Sequence, residues 1–162
     1  MSRKLIFVFI LLAFLIGCTS NSKTASELYI TLDQDLSQKD RALLDSLQSH
    51  VQKFIQLNNE LEMLIDDMKK NDELEAAVET MQIANEEAMY IFNLIELDDQ
   101  PTNKSLNELR NQVQATIEKY MKAMNKQLKG ISTGDPKMTD QAYDEIKLIN
   151  EEFEKLDLSM KG

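Results

Sequence analysis

The chain has little of what catalytic and metal-binding folds are usually built from. One cysteine, Cys18, in 162 residues leaves no internal disulfide, and one cysteine with one histidine, His50, cannot make up the usual zinc ligand sets. Four glycines, at 17, 130, 134 and 162, cannot build a phosphate-cradling loop. With only two prolines besides, there is little material for hairpin turns, while Leu, Glu, Lys, Gln, Asn and Met are plentiful and favour helix. Tryptophan is absent, so a sugar-stacking surface has to draw on Tyr29, Tyr90, Tyr120 and Tyr143. Basic charge is in deficit: 18 Lys and Arg stand against 28 Asp and Glu, a net −10 that repels nucleic acid and anionic lipid headgroups. The length allows one domain, and the expected fold class is all-α.

What is present begins with an address. Arg3 and Lys4 precede an uninterrupted apolar run from Leu5 to Ile16, the charge and length of a signal peptide and short of the roughly 20 residues of a stable membrane span. The run ends in Leu15-Ile16-Gly17-Cys18, followed by the polar Thr19-Ser20-Asn21-Ser22. That tetrapeptide resembles the lipobox of bacterial lipoproteins. The resemblance covers about the first twenty residues, because the positive start, apolar run, box and polar follow-on occur in order. It implies cleavage between Gly17 and Cys18, diacylglycerol on the Cys18 thiol, and Cys18 as a lipidated N-terminus. At about 0.8 kcal/mol per buried methylene, two or three acyl chains hold where one is marginal. The implied location is the extracytoplasmic face of the cell membrane, and Lys-, Asn-, Ile- and Glu-rich usage points to a Gram-positive source. The absence of a second cysteine suits that compartment.

The expected organisation is a signal peptide over 1–17, a lipidated cysteine and tether over 18–36, and a helical domain over 37–162. Residues 26–36 read either as a first helical turn or as a short extended piece. From about Ser37, Leu44, Leu47, Val51, Phe54, Asn58, Leu61, Ile65 and Met68 alternate spacings of three and four, the pattern of a long coiled-coil-like helix. Lys69-Lys70-Asn71-Asp72 predicts a turn, with Asp72 and Glu75 as a capping box, although a continuous helix is an alternative. A second helix over 73–97 presents Leu74, Ala77, Met81, Ala84, Ala88, Ile91 and Ile95. Its three alanines invite close approach by a neighbour.

Asp98 to Asn103 is the clearest turn, and Ser105 with Glu108 predicts a capping box opening a helix over 105–129. Leu106, Leu109, Val113, Ile117, Tyr120, Met124 and Leu128 line it, and Gly130 is expected as its left-handed terminator. Asp135 as N-cap and Pro136 at the first helical position start the last helix, 136–159, with Met138, Ala142, Ile146, Ile149, Phe153, Leu156 and Met160 in its seam. Short connections predict an antiparallel bundle of three to four long amphipathic helices with coiled-coil-like seams. Residues 72–100 carry nine acidic side chains and no basic one, and 104–129 carry six basic and two acidic, so these neighbours are expected to attract each other.

No constellation for catalysis is legible. His50 lies beside seam position Val51 and reads as a flanking surface residue. The adjacent carboxylates Asp66-Asp67, Glu86-Glu87, Asp98-Asp99, Asp144-Glu145 and Glu151-Glu152 point about 100° apart on a helix and read as solvated faces. The residue three before His50 is Leu47, so the Glu-x-x-His of di-iron bundles is missing. No calcium loop is present, and Met121-x-x-Met124 lacks a third soft ligand for copper. Asn58 either fixes register in the seam or yields its core place to Leu57.

The expectation is therefore a non-enzymatic lipoprotein without cofactor or metal, acting as a protein-binding or adaptor module at the cell envelope. Its partners would be the membrane, through the Cys18 lipid, and an envelope protein, with a second copy of the chain as a further candidate and nucleic acid excluded. Ile83, Met89, Phe92 and Leu94 lie off the seam of the second helix and are the expected contact surface. The alternative is a binder of small ligands or cell-wall glycan.

Overall fold

A computed structural model describes residues 36–71 and 73–161. Gly17, Cys18, the tether and Asp72 lie outside the described residues. Among those described there are four helices and no strand: α1 (Gln38–Lys70), α2 (Leu74–Leu97), α3 (Lys104–Thr133) and α4 (Pro136–Met160). Each packs on the next, α4 returns to α1, and α2 and α4 sit diagonally across the bundle. The described residues form an all-α antiparallel four-helix bundle. No helix among the described residues is long and apolar enough to cross a membrane.

Seam residues make the core. Leu47, Val51, Phe54 and Leu61 of α1 are buried, as are Ala77, Met81, Ala84, Ala88, Ile91 and Ile95 of α2. Leu74, which also fits the α2 seam, is instead 61% exposed, because α2 begins there and its first residue overhangs the turn. The Phe54 ring stands edge-on to Tyr120 (centroids 4.8 Å, 82°) and tilts against Phe153 (4.2 Å, 36°). Three aromatics from α1, α3 and α4 thus meet at one level. Asn85 Nδ2 donates to Asn125 Oδ1 at 3.5 Å, which puts these antiparallel helices in a register where Ala88 stands near the level of Tyr120. Small alanine side chains on α2 leave room for the rings.

Helix ends follow local chemistry. Ser37 and Asp40 form a reciprocal cap on α1: the Asp40 backbone N–H donates to Ser37 Oγ (3.1 Å), and Ser37 Oγ–H donates to Asp40 Oδ2 (2.9 Å). A turn does separate α1 from α2, but Glu73 supplies no side-chain cap to α2. In α3 the cap is Asn103, whose Oδ1 accepts from the Leu106 N–H at 3.0 Å, rather than Ser105. Asp135 caps α4 through the Met138 N–H at 3.0 Å, with Pro136 following as the sequence predicts.

The end of α3 departs from expectation. Gly130 does not terminate the helix, which runs on to Thr133 and closes at Gly134, φ 64°. The Gly134 N–H reaches Ile131 O at 3.1 Å and the Asp135 N–H reaches Gly130 O at 2.8 Å, the paired bonds of a Schellman motif. Gly130 serves packing instead, since a Cβ there would fall 2.6 Å from Thr139 Oγ1 and 2.8 Å from the Thr139 nitrogen. It is the close-approach point where α4 folds back over α3.

The expected charge attraction between the second and third helices is not how the bundle pairs. Lys119 meets Glu152 at 2.8 Å and Lys126 meets Glu145 at 2.7 Å, both across α3 and α4. Seven-residue spacing on both helices brings these pairs opposite one another. The one basic side chain of α3 that joins α2 is Arg110, and it binds backbone.

Candidate functional site

The outer face of α2 is the best candidate. Of the ten large apolar side chains exposed among the described residues, five belong to α2 and none to α3, so exposed apolar surface concentrates on one helix. Ile83 (59% exposed), Tyr90 and Leu97 (83%) recur every seven residues and fall in one row along the outside. Glu79, Glu86, Glu87 and Glu96 border that row. Among the described residues none of these four carboxylates has an ion pair: α2 carries no basic residue, Lys119 and Lys126 of α3 turn to α4, and Lys104 and Lys122 pair within α3.

The four contact residues expected from sequence divide over this helix. Ile83 and Met89 are exposed, whereas Phe92 and Leu94 are half-buried and Phe92 packs against the core. Nine residues separate Ile83 from Phe92, about 180° around the helix. Ile83 lies in the groove shared with Leu57 and Glu60 of α1, and Phe92 is on the α3 side. Phe92 is thus corrected to a packing residue. Tyr90 and Leu97 complete the exposed row, and their heptad distance from Ile83 is the signal in the sequence that marks them.

Polar clasps hold α2 in place. The Arg110 side chain, 6% exposed, occupies the α3 seam between Leu106 and Val113 and reaches the C-terminus of α2. Its Nη2 donates to Ile95 O at 2.7 Å and approaches Glu96 O at 3.2 Å and Asp98 O at 3.4 Å, while Nε donates to Ile95 O at 3.2 Å. A guanidinium at a helix C-terminus satisfies free carbonyls and complements the macrodipole. It substitutes for the glycine cap and last-turn lysine that α2 lacks, next to Asp98 and Asp99. Beyond it, the Thr102 N–H and Oγ1–H donate to the buried Asp40 carboxylate at 2.8 and 2.5 Å. The Thr102 hydroxyl, the Thr102 N–H and Ser37 hold Asp40 below the usual carboxylate range, against the opposing effect of burial.

Ser46, His50 and Asp98 lie together but do not form a nucleophilic relay. Ser46 Oγ donates to Asp98 Oδ2 at 3.0 Å, and His50 Nε2 faces both Ser46 Oγ (3.4 Å) and Asp98 Oδ2 (3.8 Å). In a relay the carboxylate orients one ring nitrogen while the other activates the hydroxyl. Here serine and aspartate share Nε2, and Nδ1 is buried with no hydrogen bond. Burial holds His50 below its ordinary 6.5, with Asp98 opposing and Lys53 assisting. Among the described residues no group of three or more His, Cys, Asp or Glu side chains could hold a metal. Comparison with protein families, curated proteins and solved structures gives no match.

Proposed function

We propose that this chain is a lipid-anchored, extracytoplasmic, non-catalytic adaptor that presents α2 to a basic amphipathic helix of another envelope protein. The observation that carries the reading is the Ile83, Tyr90, Leu97 row between carboxylates that have no ion pair among the described residues. Heptad spacing suits a second helix, because a helix offers apolar side chains at the same repeat. Each large apolar residue buried there contributes about 1.5–3 kcal/mol, and lysines or arginines along the partner's edges would pair with Glu79, Glu86, Glu87 and Glu96. The anchor is carried by the sequence around Cys18, and confinement to the membrane raises the effective concentration of a membrane-borne partner.

In-cell cross-linking followed by affinity capture and mass spectrometry tests this reading on four forms: native, Cys18→Ala, Tyr90→Glu and Leu148→Glu. Leu148 is an equally exposed apolar residue on α4. One envelope protein should be enriched with the native and Leu148→Glu forms and lost with the other two. Equal capture by native and Tyr90→Glu forms contradicts the proposed surface, and equal capture by native and Cys18→Ala forms contradicts the role of the anchor.

A further inference from the structure

Where α2 gives way to α3, an open cleft of about 580 Å³ lies between the two helices. That volume is within the roughly 300–1,000 Å³ usual for small-ligand sites. Four carboxamides line it: Asn93 of α2, Gln100 of the connection, and Asn111 and Gln114 of α3. None of these side chains makes a hydrogen bond among the described residues, and none is sealed from solvent. Their N–H donors and C=O acceptors are therefore open to a ligand. Leu97, 83% exposed, is the one apolar side chain in the lining.

The floor is the Arg110 guanidinium, whose nitrogens are used unequally. Nε and Nη2 are engaged with the carbonyls at the end of α2. Nη1 has no hydrogen bond among the described residues, yet it is not enclosed, and the cleft is where Arg110 meets solvent. A side chain only 6% exposed thus turns its one unused nitrogen to the cleft. Glu96 in the lining and Asp98 and Asp99 just after it keep the surroundings negative, which disfavours a free carboxylate or phosphate as the acceptor. A neutral acceptor remains, and to an amide carbonyl the guanidinium makes a charge-assisted bond. Carboxamides, with donor and acceptor side by side, suit hydroxyls, each of which both donates and accepts.

We propose that the cleft binds a neutral N-acetylated amino sugar. The acetamido carbonyl accepts from Arg110 Nη1, its methyl lies on Leu97, and the ring hydroxyls bond to Asn93, Asn111 and Gln114. The cleft borders the α2 row at Glu96 and Leu97 but needs neither Ile83 nor Tyr90, so the site stands or falls separately from partner docking.

The test is a nuclear magnetic resonance titration of the full chain in neutral detergent with N-acetylglucosamine, glucose, N-acetylglycinamide and glucuronate. N-acetylglucosamine should shift the side-chain signals of Asn93, Arg110, Asn111 and Gln114 saturably. Glucose, which lacks the acetamido group, and N-acetylglycinamide, which lacks the ring hydroxyls, should each bind about tenfold more weakly. Asn111→Ala, at an exposed position, and Gln114→Ala, at a half-buried one, should each weaken the amino sugar about fivefold and leave thermal unfolding unchanged. Arg110→Lys should remove the preference for N-acetylglucosamine over glucose, and Tyr90→Glu should leave sugar binding as it is. Absence of saturable shifts, tighter binding of glucuronate, or affinity indifferent to both alanine substitutions overturns the proposal. N-acetylglycinamide binding as tightly as the amino sugar also overturns it, since the cleft would then read amides, as in a peptide, and not a sugar.

Discussion

Replacing Arg110 by methionine should be among the most damaging changes outside the aromatic core. Methionine keeps much of the aliphatic stem and its packing but removes every donor facing the end of α2. Ile95 O loses bonds of 2.7 and 3.2 Å, and Glu96 O and Asp98 O lose their longer contacts. Hydrogen bonds from a charged donor contribute about 1.5–3 kcal/mol each, and a buried carbonyl stripped of its partner costs about 1–3 kcal/mol. These contributions overlap, since one guanidinium makes all the bonds, and removing a buried charge returns part of the loss. The net expectation is about 3 kcal/mol. For a domain of this size that lowers Tm by roughly 10 °C. Arg110→Lys keeps the charge but not the fork, and should lose about half as much. Urea unfolding followed by circular dichroism gives the stability change, and native-state hydrogen exchange locates it, with the amides of the last α2 turn exchanging fastest. A loss below about 0.5 kcal/mol for Arg110→Met, with unchanged exchange in that turn, would refute the capping role.

Other outcomes follow from groups without partners or without space. Tyr120 Oη is buried with no hydrogen bond, so Tyr120→Phe should stabilise by about 1 kcal/mol in urea unfolding. Burial raises the Tyr120 pKa above its ordinary 10.0, so its contribution is intact below pH 10 and lost as pH rises further; Tyr120→Phe should flatten that alkaline decline in Tm. His50 works in the opposite direction: its folded pKa is depressed, so its contribution is present above 6.5 and lost as pH falls. His50→Gln should flatten the decline in Tm between pH 7 and pH 5, a window distinct from that of Asp40, which acts below 3.8. Gly130→Ala should destabilise by about 2 kcal/mol despite alanine's better helix propensity, because the added methyl meets the Thr139 backbone, and a neutral result in thermal melts would contradict the close approach.

Much of the architecture is legible in the sequence because amphipathic helices write their buried face as three-four spacing. The α1 seam from Leu47 to Leu61, the α2 alanine row and the Asp135-Pro136 start of α4 all stand where the pattern puts them. What escapes is information that crosses between helices. Arg110 fits the α3 seam as well as Leu109 does, but a charge at a seam position makes sense only once the bare carbonyls of α2 lie opposite it. Gly130 looks like a terminator because nothing in the local sequence announces the approach of Thr139. Lys119 and Lys126 of α3 find α4 rather than α2 because partner choice depends on which faces meet, and net charge per segment does not record that. In the candidate site, Ile83 is legible from its off-seam position. Phe92 misleads because residues on opposite flanks of a helix are equally far from the seam without being equally exposed.

The proposed function stands on α2 being the face that meets a partner, and position-resolved photo-cross-linking in intact cells puts that to the test. A photoreactive residue is placed in turn at Ile83, Tyr90 and Leu97, and at the exposed Glu154 of α4 as the comparison. One shared cross-linked protein is expected at the three α2 positions and none at Glu154, with a cross-linked peptide that is a basic amphipathic helix. Cross-links of equal yield at Glu154, or a contact peptide without basic residues, would contradict the assignment of α2 as the docking face.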